Sequence, residues 1–301
     1  MEISTLQGGE IQEPNEALES DTELKQGEHV RITRRRRSAG FVMNQDHFHR
    51  HYELYYLISG RSRVFLNHTI YHLEAGDVLL IEPLALHHMI YGIAQESERI
   101  AVSFADDFLE EMRKQCGTDW LGQLKQQPHL TVETGRRGYL EGLLGKLAVE
   151  VQNEDAFARM LQQNYLYELL AFIGRCRNEE EPLKLGEPAE MTERETAIQE
   201  AARYIYTHFH EPLTLELVAE RVHMSPTYFS RRFKSLTGFG YKEYVNYVRL
   251  KEASRLLLET ELSVTEVAQQ CGFADSNYFG DLFRKEKGVS PRVYRKNPQI
   301  L

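Results

Sequence analysis

The stretch MSPTYFSRRFKSLTG, residues 224–238, is answered fifty residues later by ADSNYFGDLFRKEKG, residues 274–288. Tyr228 and Phe229 correspond to Tyr278 and Phe279, Phe233 to Phe283, and Gly238 to Gly288. A chain that keeps its aromatic residues and varies those between them is using one structural unit twice. Phe229 and Phe233 stand four apart, as do Phe279 and Phe283, so each pair lies on one helix face and points into a core. The opposite faces carry Thr227, Ser230, Arg231 and Lys234 in the first copy, and Asn277, Gly280, Asp281 and Arg284 in the second. Packing holds the inner face constant, while the outer face is free to read something different in each copy.

Each copy follows a shorter helical segment, TLELVAERV in the first and SVTEVAQQC in the second. Ser225 and Asp275 are expected to cap the helices that follow, because their side-chain oxygens can accept the unpaired first-turn N–H groups. Pro226 suits the first helical position, where a missing N–H costs nothing. Helix, short turn and helix make a helix-turn-helix, here twice. Helices are expected over 195–209, 214–222, 226–236, 241–259, 264–271, 276–286 and 291–296. An Arg fork pairs with a guanine edge and an Asn with adenine, which makes the outer faces candidates for base reading. Tyr228, Ser276 and Tyr278 sit near the helix starts, where phosphate contacts are natural.

Residues 195–297 resemble the DNA-binding domain of the AraC/XylS family of bacterial transcription regulators. The resemblance is carried by LTLELVAERVHMSPTYFSRRFKSLTGFGYKEYVNYVRLKEASRLLL and by SVTEVAQQCGFADSNYFGDLFRKEKGVSPRVYR. The second stretch follows the family signature at nearly every fixed position, and the resemblance covers about a third of the chain. It implies two helix-turn-helix units joined by a long helix over 241–259, with both recognition helices in successive major grooves of promoter DNA. It further implies base-reading roles for Thr227, Ser230, Arg231, Ser276, Asn277, Gly280 and Asp281. Gly280 and Asp281 are poor electrostatic partners for DNA, although Asp accepts from a cytosine amino group. The first unit is therefore expected to supply more of the specificity.

Ahead of this lies a different pattern. Between residues 31 and 104, HYELYYLISG and SRVFLNHTIYHLEAGDVLLIEP are rich in strand-forming residues and punctuated by Gly and Pro, as in a small barrel or sandwich. His49, His51, Glu53 and Tyr55 alternate, so on a strand they share one face, with Tyr52, Leu54, Tyr56 and Ile58 on the other. His87 and His88 follow on a later strand or turn. Histidines with a carboxylate are ligands suited to Fe, Mn or Zn. The stretch resembles a cupin barrel, but it departs from the catalytic pattern. Only Tyr52 separates His51 from Glu53, and Ala85 stands where a glycine is expected. AraC-like regulators keep such a degenerate pattern without a metal. The resemblance thus implies no catalytic residue, no metal and no other cofactor. It implies instead an effector pocket lined by His49, His51, Glu53, Tyr55 and His87, suited to a hydroxyl-rich, sugar-like molecule.

From about 106 to 177 the pattern becomes helical. Leu140, Leu143, Leu144, Leu147 and Val151 form one stripe, and Met160, Leu161, Tyr165, Leu169, Phe172 and Ile173 form another. Family resemblance makes this helix pair the candidate homodimer interface. RNEEEPLKLGEPAEMTER is charged and contains Pro and Gly, as a linker does.

The 301 residues leave room for two domains. A formal charge of −9 argues at first against a nucleic-acid partner, but the distribution matters more than the sum. Residues 195–301 hold 15 Lys and Arg against 13 Asp and Glu, so the acidic excess lies before residue 195. The basic run RITRRRRSAG, residues 31–40, reads as a solvated face rather than a DNA contact. Cys116, Cys176 and Cys271 are odd in number and far apart, which points away from a disulfide framework. The acidic N-terminus lacks a signal-peptide pattern, and no apolar stretch is long enough for a membrane helix. A cytoplasmic location is expected, with no membrane partner.

The expected architecture is a two-domain α+β chain. An acidic arm (1–29) precedes a cupin-like β-barrel followed by helices (30–177), a linker (178–194) and an all-α domain with two helix-turn-helix units (195–301). The expected function is ligand-responsive regulation of transcription by a non-enzyme, as activator of a carbohydrate-catabolism operon, acting with RNA polymerase. Two alternatives stay open. One is a metal-dependent cupin enzyme fused to a DNA-binding module, and the other is an architectural DNA binder whose barrel serves only dimerisation.

Overall fold

The computed structural model describes residues 24–25, 27–38, 49–91, 96–116, 120–178 and 191–296. Most of the expected acidic arm and the centre of the expected linker lie outside these residues. The first half opens with seven strands: β1 (Val30–Arg37), β2 (Tyr52–Ser59), β3 (Arg61–Leu66), β4 (Thr69–Glu74), β5 (Asp77–Ile81), β6 (His87–Tyr91) and β7 (Ser97–Phe104). A short 3-10 turn then leads into α1 (Glu110–Cys116) and α2 (Trp120–Gln126), a strand β8 (His129–Thr131), and the long helices α3 (Thr134–Val151) and α4 (Ala158–Asn178).

Two antiparallel sheets face each other, one ordered β1-β7-β2-β5-β8 and the other β4-β3-β6. The period of two along each strand decides which residue serves which layer. Tyr55 and Leu57 of β2, Leu79 and Ile81 of β5, Val64 and Leu66 of β3 and Met89 of β6 close the space between the sheets. Leu54 and Tyr56, Val78 and Leu80, and Ile100, Val102 and Phe104 point the other way. There they meet Leu140, Leu143, Leu144 and Leu147 of α3 and Leu166, Leu169, Leu170 and Ile173 of α4. The leucine stripe of α3 is therefore spent within this chain, because the five-stranded sheet needs a cover.

One strand carries no signal in the sequence. Within the largely helical region after residue 106, β8 pairs with β5 and extends the larger sheet. Three residues are too few to show a period of two, and the strand is held from outside. The Asp77 carboxylate accepts from the Thr131 hydroxyl at 2.6 Å and from the Glu74 N–H at 2.7 Å. The arginine run forms edge strand β1 with Arg34 and Arg36 in solvent, as a solvated face requires, and both reach Glu98 on β7, at 2.8 and 3.6 Å. A charged edge of this kind resists pairing with a second sheet.

The second half is helical: α5 (Glu193–Thr207), α6 (Leu215–Arg221), α7 (Pro226–Thr237), α8 (Tyr241–Glu259), α9 (Val264–Gln270), α10 (Ser276–Lys287) and α11 (Pro291–Lys296). The boundaries fall within two residues of the expected ones. The conserved glycines of the repeat explain themselves. Gly238 and Gly288 end α7 and α10 in the left-handed region, at φ 85° and 76°, where a side chain is strained. Asp275 caps α10 as expected, accepting the Asn277 N–H at 2.8 Å. Ser225 occupies the cap position of α7, but its side chain makes no cap hydrogen bond. With Pro226 next in line, one of the N–H groups that needs a cap is already gone.

The helices share two cores, and α8 spans both. Its first half puts Tyr244, Val245 and Val248 among Phe229, Phe233, Ile198, Ala201 and Ile205. Its second half puts Leu250, Ala253, Leu256 and Leu257 among Val267, Phe273, Phe279 and Phe283. The first core does not stop at the helices. Phe65 of β3, Ile70 of β4 and Leu86 join it, so the outer face of the smaller sheet docks on α5 and α8. Phe65 meets Tyr244 edge to face at 5.9 Å, and the Ile70 N–H donates to Gln199 Oε1 at 2.7 Å. Arg63 pairs with Glu195, whose carboxylate also completes the capping box of α5 with Thr192.

Phe283 is fully buried and packs edge to face on Tyr294. Phe283→Ala is expected to cost about 3–5 kcal/mol, the usual penalty for truncating a buried Phe. Thermal unfolding followed by circular dichroism measures it, and an unchanged melting curve would place the inner face of the repeat elsewhere.

Candidate DNA interface and effector site

The candidate base-reading residues divide by exposure as the helix period requires. On α7, Phe229 and Phe233 are inaccessible while Thr227, Arg231 and Lys234 are exposed and Ser230 is half-buried. On α10, Phe279 and Phe283 are inaccessible while Asn277, Asp281 and Arg284 are exposed, with Ser276 and Gly280 half-buried. Docking of the smaller sheet on the α5 and α8 side thus leaves the outward rows of both helices in solvent. The two turns differ in one respect. Residue His223 takes the left-handed conformation in the first unit, and Gly272 takes it in the second. A Cβ on Gly272 would stand 2.6 Å from the Phe209 carbonyl oxygen, so only glycine lets the second unit sit against the end of α5. Tyr278 is bound from its own side, since Asn246 of α8 donates to its hydroxyl at 3.1 Å.

The candidate effector residues gather inside the sandwich. Glu53 and Tyr55 share the inner face of β2, as their alternation requires, and His87 opens β6 across from Leu66. His49 and His51 lie just before β2, and both are buried. Their rings stack at 4.0 Å and 10°, and the His87 ring meets His49 edge-on at 4.9 Å. His49 Nε2 lies 3.1 Å from Glu53 Oε2. Backbone carbonyls fix the other nitrogens, with His49 Nδ1 2.8 Å from His51 O and His87 Nδ1 3.0 Å from Ala85 O. Burial works to raise the pKa of Glu53, but the His49 hydrogen bond and the charges of His49, His87 and Arg99 outweigh it and hold it at about 2. One possible ligand atom from each of His49, Glu53 and His87 lies within 4.8 Å of the others. Two imidazoles and a carboxylate at this spacing fit a transition-metal ion. His51 stands beside that set rather than in it.

Three residues of this interior were not singled out from the sequence. Arg99 and Ser103 alternate along β7 with Ile100, Val102 and Phe104, and both are buried on the inner side. Ser62 of β3 lies 3.2 Å from the Tyr55 hydroxyl, and the Arg99 guanidinium sits over the Tyr55 ring at 5.6 Å. The alternation in SERIAVSF carried the signal, since a lone arginine among apolar neighbours at period two belongs to the inner layer.

The two candidate sites are mechanically close. The Leu84 N–H donates to the His49 carbonyl at 2.7 Å, and the Leu84 carbonyl accepts from the Tyr247 hydroxyl on α8. The Asn67 N–H donates to the Leu86 carbonyl at 2.7 Å, while the Asn67 carbonyl accepts from the Tyr244 hydroxyl at 2.6 Å. Both Asn67 and Leu84 adopt positive φ, at 57° and 61°, a strained backbone that persists because the surrounding contacts hold it. Burial raises the pKa of both tyrosines and keeps them as neutral donors. The segment that leads into His87 is therefore bonded to His49 on one side and to the helix joining the two helix-turn-helix units on the other. Arg50 lies near Lys287 of α10, whose pKa is lowered first by burial and then by the Arg50 charge.

Residues 29–170 match the model of an AraC-like ligand binding domain, and residues 218–297 match a helix-turn-helix domain. An uncharacterized HTH-type transcriptional regulator of Escherichia coli, YijO, is 36% identical over 154 residues. The chain spans about half of that relative's length, 53%, and the match takes 51% of this chain. The Bacillus subtilis regulator YisR, also uncharacterized, is 27% identical over 81% of this chain and 85% of its own. The transcriptional activator RhaS of Salmonella arizonae is 38% identical over 35% of this chain and 38% of its own. Among solved structures, the DNA-binding domain of AdpA in complex with a target DNA is 37% identical. It covers 33% of this chain and 90% of that one, at a TM-score of 0.33. ToxT from Vibrio cholerae is 12% identical over 89% of this chain and 97% of that one, at a TM-score of 0.36. With a β-rich ligand-binding half, a double helix-turn-helix and these relatives, the chain belongs to the AraC family of transcription regulators.

Proposed function

We propose that this regulator reads promoter DNA with the outward rows of α7 and α10, and that a small polar effector in the sandwich alters that reading. One observation carries the proposal. The turns at Asn67 and Leu84–Leu86 bond the histidine end of the sandwich and α8 at the same time. A ligand seated on His49, His51, Glu53, Tyr55 and His87 changes DNA binding only if it favours one of two arrangements of this contact. Its chemistry is that of the lining, with imidazoles, a carboxylate, the Tyr55 hydroxyl and the buried Arg99, which suits a hydroxyl-rich molecule such as a sugar. The likeness to RhaS, named a transcriptional activator, favours activation, hence a contact with RNA polymerase. Among the described residues no helix is long and apolar enough to cross a membrane, in keeping with work on DNA in the cytoplasm.

The same reading makes the working unit a homodimer, and it relocates the pairing face. Since the leucines of α3 are buried within the chain, the exposed row of that helix remains. It presents Gly135, Gly138, Gly142, Gly145 and Val149 at intervals of three and four, flanked by exposed Tyr139. Such a row lets a second helix approach closely.

Binding of the protein to promoter fragments flanking its own gene, with and without a panel of sugars, tests the reading. Saturable binding shifted by one sugar is expected, and tight binding indifferent to all of them would return the sandwich to another role. Arg231→Ala is expected to cost about 1–3 kcal/mol on the specific site if Arg231 reads a base, and an equal loss on random DNA would demote it to a phosphate contact. Tyr247→Phe removes the bond to Leu84 without disturbing the ring. It is expected to shrink the effector-induced shift in DNA affinity by about 1 kcal/mol in a fluorescence anisotropy titration. An undiminished shift would remove Leu84 from the coupling.

A further inference from the structure

We infer that the inward face of β1 and β7 is an oxyanion subsite, so that the effector carries a carboxylate or phosphate as well as hydroxyls. The inference rests on the reading of the sandwich as an effector site and names the chemical class of what enters it. Val30 and Ile32 of β1 pack toward α3 and α4, as do Ile100, Val102 and Phe104 of β7. The period of two then turns Thr33, Arg35 and Arg37 inward, together with Ser97 and Arg99. Arg35 stands directly across from Arg99, and Arg37 across from Ser97. The apolar cluster between the sheets draws none of its described residues from β1 or β7. Arginines and hydroxyls take its place along that wall.

Inward charge on an edge strand deters pairing with a second sheet, which would suffice for Arg35 and Arg37. It does not account for Arg99, because β7 is paired on both sides and Arg99 is only 4% exposed. The outward arginines, Arg34 and Arg36, meet Glu98. No inward position of β1 or β7 holds a carboxylate. Those on the neighbouring strands are engaged, Glu53 with His49, and Asp77 with Thr131, His129 and the Glu74 N–H. Like charges directly opposite on paired strands repel, and an oxyanion held between them turns that repulsion into binding. A guanidinium fork matches the two oxygens of a carboxylate or phosphate. Ser97 is buried, and its Oγ has no hydrogen-bond partner among the described residues; the buried Thr33 Oγ1 is in the same state. Both hydroxyls can donate to an anion. The Arg99 guanidinium sits over the Tyr55 ring at 5.6 Å, and Tyr55 is the next inward residue after Glu53 on β2. Tyr55 therefore stands between the histidine end, which receives hydroxyls, and the arginines, which receive the acid.

The test titrates the full chain by isothermal calorimetry with a panel of hexoses, each as the neutral sugar, the uronate and the 6-phosphate. At least one acid is expected to bind more tightly than its neutral parent, by more than about tenfold. A uronate that does so assigns a carboxylate, and a 6-phosphate assigns a phosphate. Arg99→Gln is expected to remove the advantage of the acid, whereas Arg34→Gln, on the outward row, leaves it unchanged. If Arg99→Gln fails to fold, Arg35→Gln on the edge strand decides by the same measure. Neutral sugars that bind as well as their acids overturn the subsite, as does an acid whose affinity survives both Arg99→Gln and Arg35→Gln, or a panel in which no acid binds. DNA binding is recorded on the same samples. A response to a neutral sugar without any bound acid overturns the subsite and leaves the effector reading standing. A bound acid without any DNA response upholds the subsite and removes the effector reading.

Discussion

Tyr244 stands where the layers of this molecule meet. Its ring is fully buried between Phe233 of α7 and Phe65 of the smaller sheet, at 5.4 and 5.9 Å, edge to face with both. Its hydroxyl donates to the Asn67 carbonyl at 2.6 Å. A buried hydroxyl without such an acceptor is costly, so the position of the Asn67 turn and the position of α8 are not independent. Because α8 also supplies Leu250, Ala253, Leu256 and Leu257 to the second core, Asn67 and Leu84 are tied through one element to the cores of both helix-turn-helix units.

The sandwich sets the other half of this arrangement. The central strands β2 and β5 of the larger sheet serve two cores, one against α3 and α4 and one against the smaller sheet. That leaves few inner positions for polar groups, and they cluster toward the end where Leu84–Leu86 passes. Burying a carboxylate, an arginine and three imidazoles together is tolerable only if their charges compensate one another or a bound partner. The cost of that polarity is a reason to regard this end as a site, whereas the apolar remainder of the interior is packing.

Some of this was legible in single residues. The repeated Tyr-Phe and Phe positions determined two helical units with their inner faces, because a period of 3.6 and a fifty-residue echo leave little freedom. Alternation from Tyr52 to Ile58 likewise determined the two faces of β2. Other features were illegible for physical reasons. β8 is three residues long and exists through its pairing with β5, and Ser225 looks like a cap but follows a different local solution beside Pro226. The leucines of α3 read equally well as an interface or as a core, since a helix stripe does not say what covers it.

The sequence by itself determined local periods, the two repeated helices and their outward residues, and a histidine-rich strand entry. Tertiary structure alone decided that His49, Glu53 and His87, 34 residues apart between the last two, converge on one buried point. It alone decided that Arg99 faces inward beside Tyr55, and that Phe65, Ile70 and Leu86 complete a core belonging to the helices. Side-chain direction follows from local backbone geometry and can be read along the chain. Which surfaces meet follows from packing between distant segments, whose closure no local pattern records.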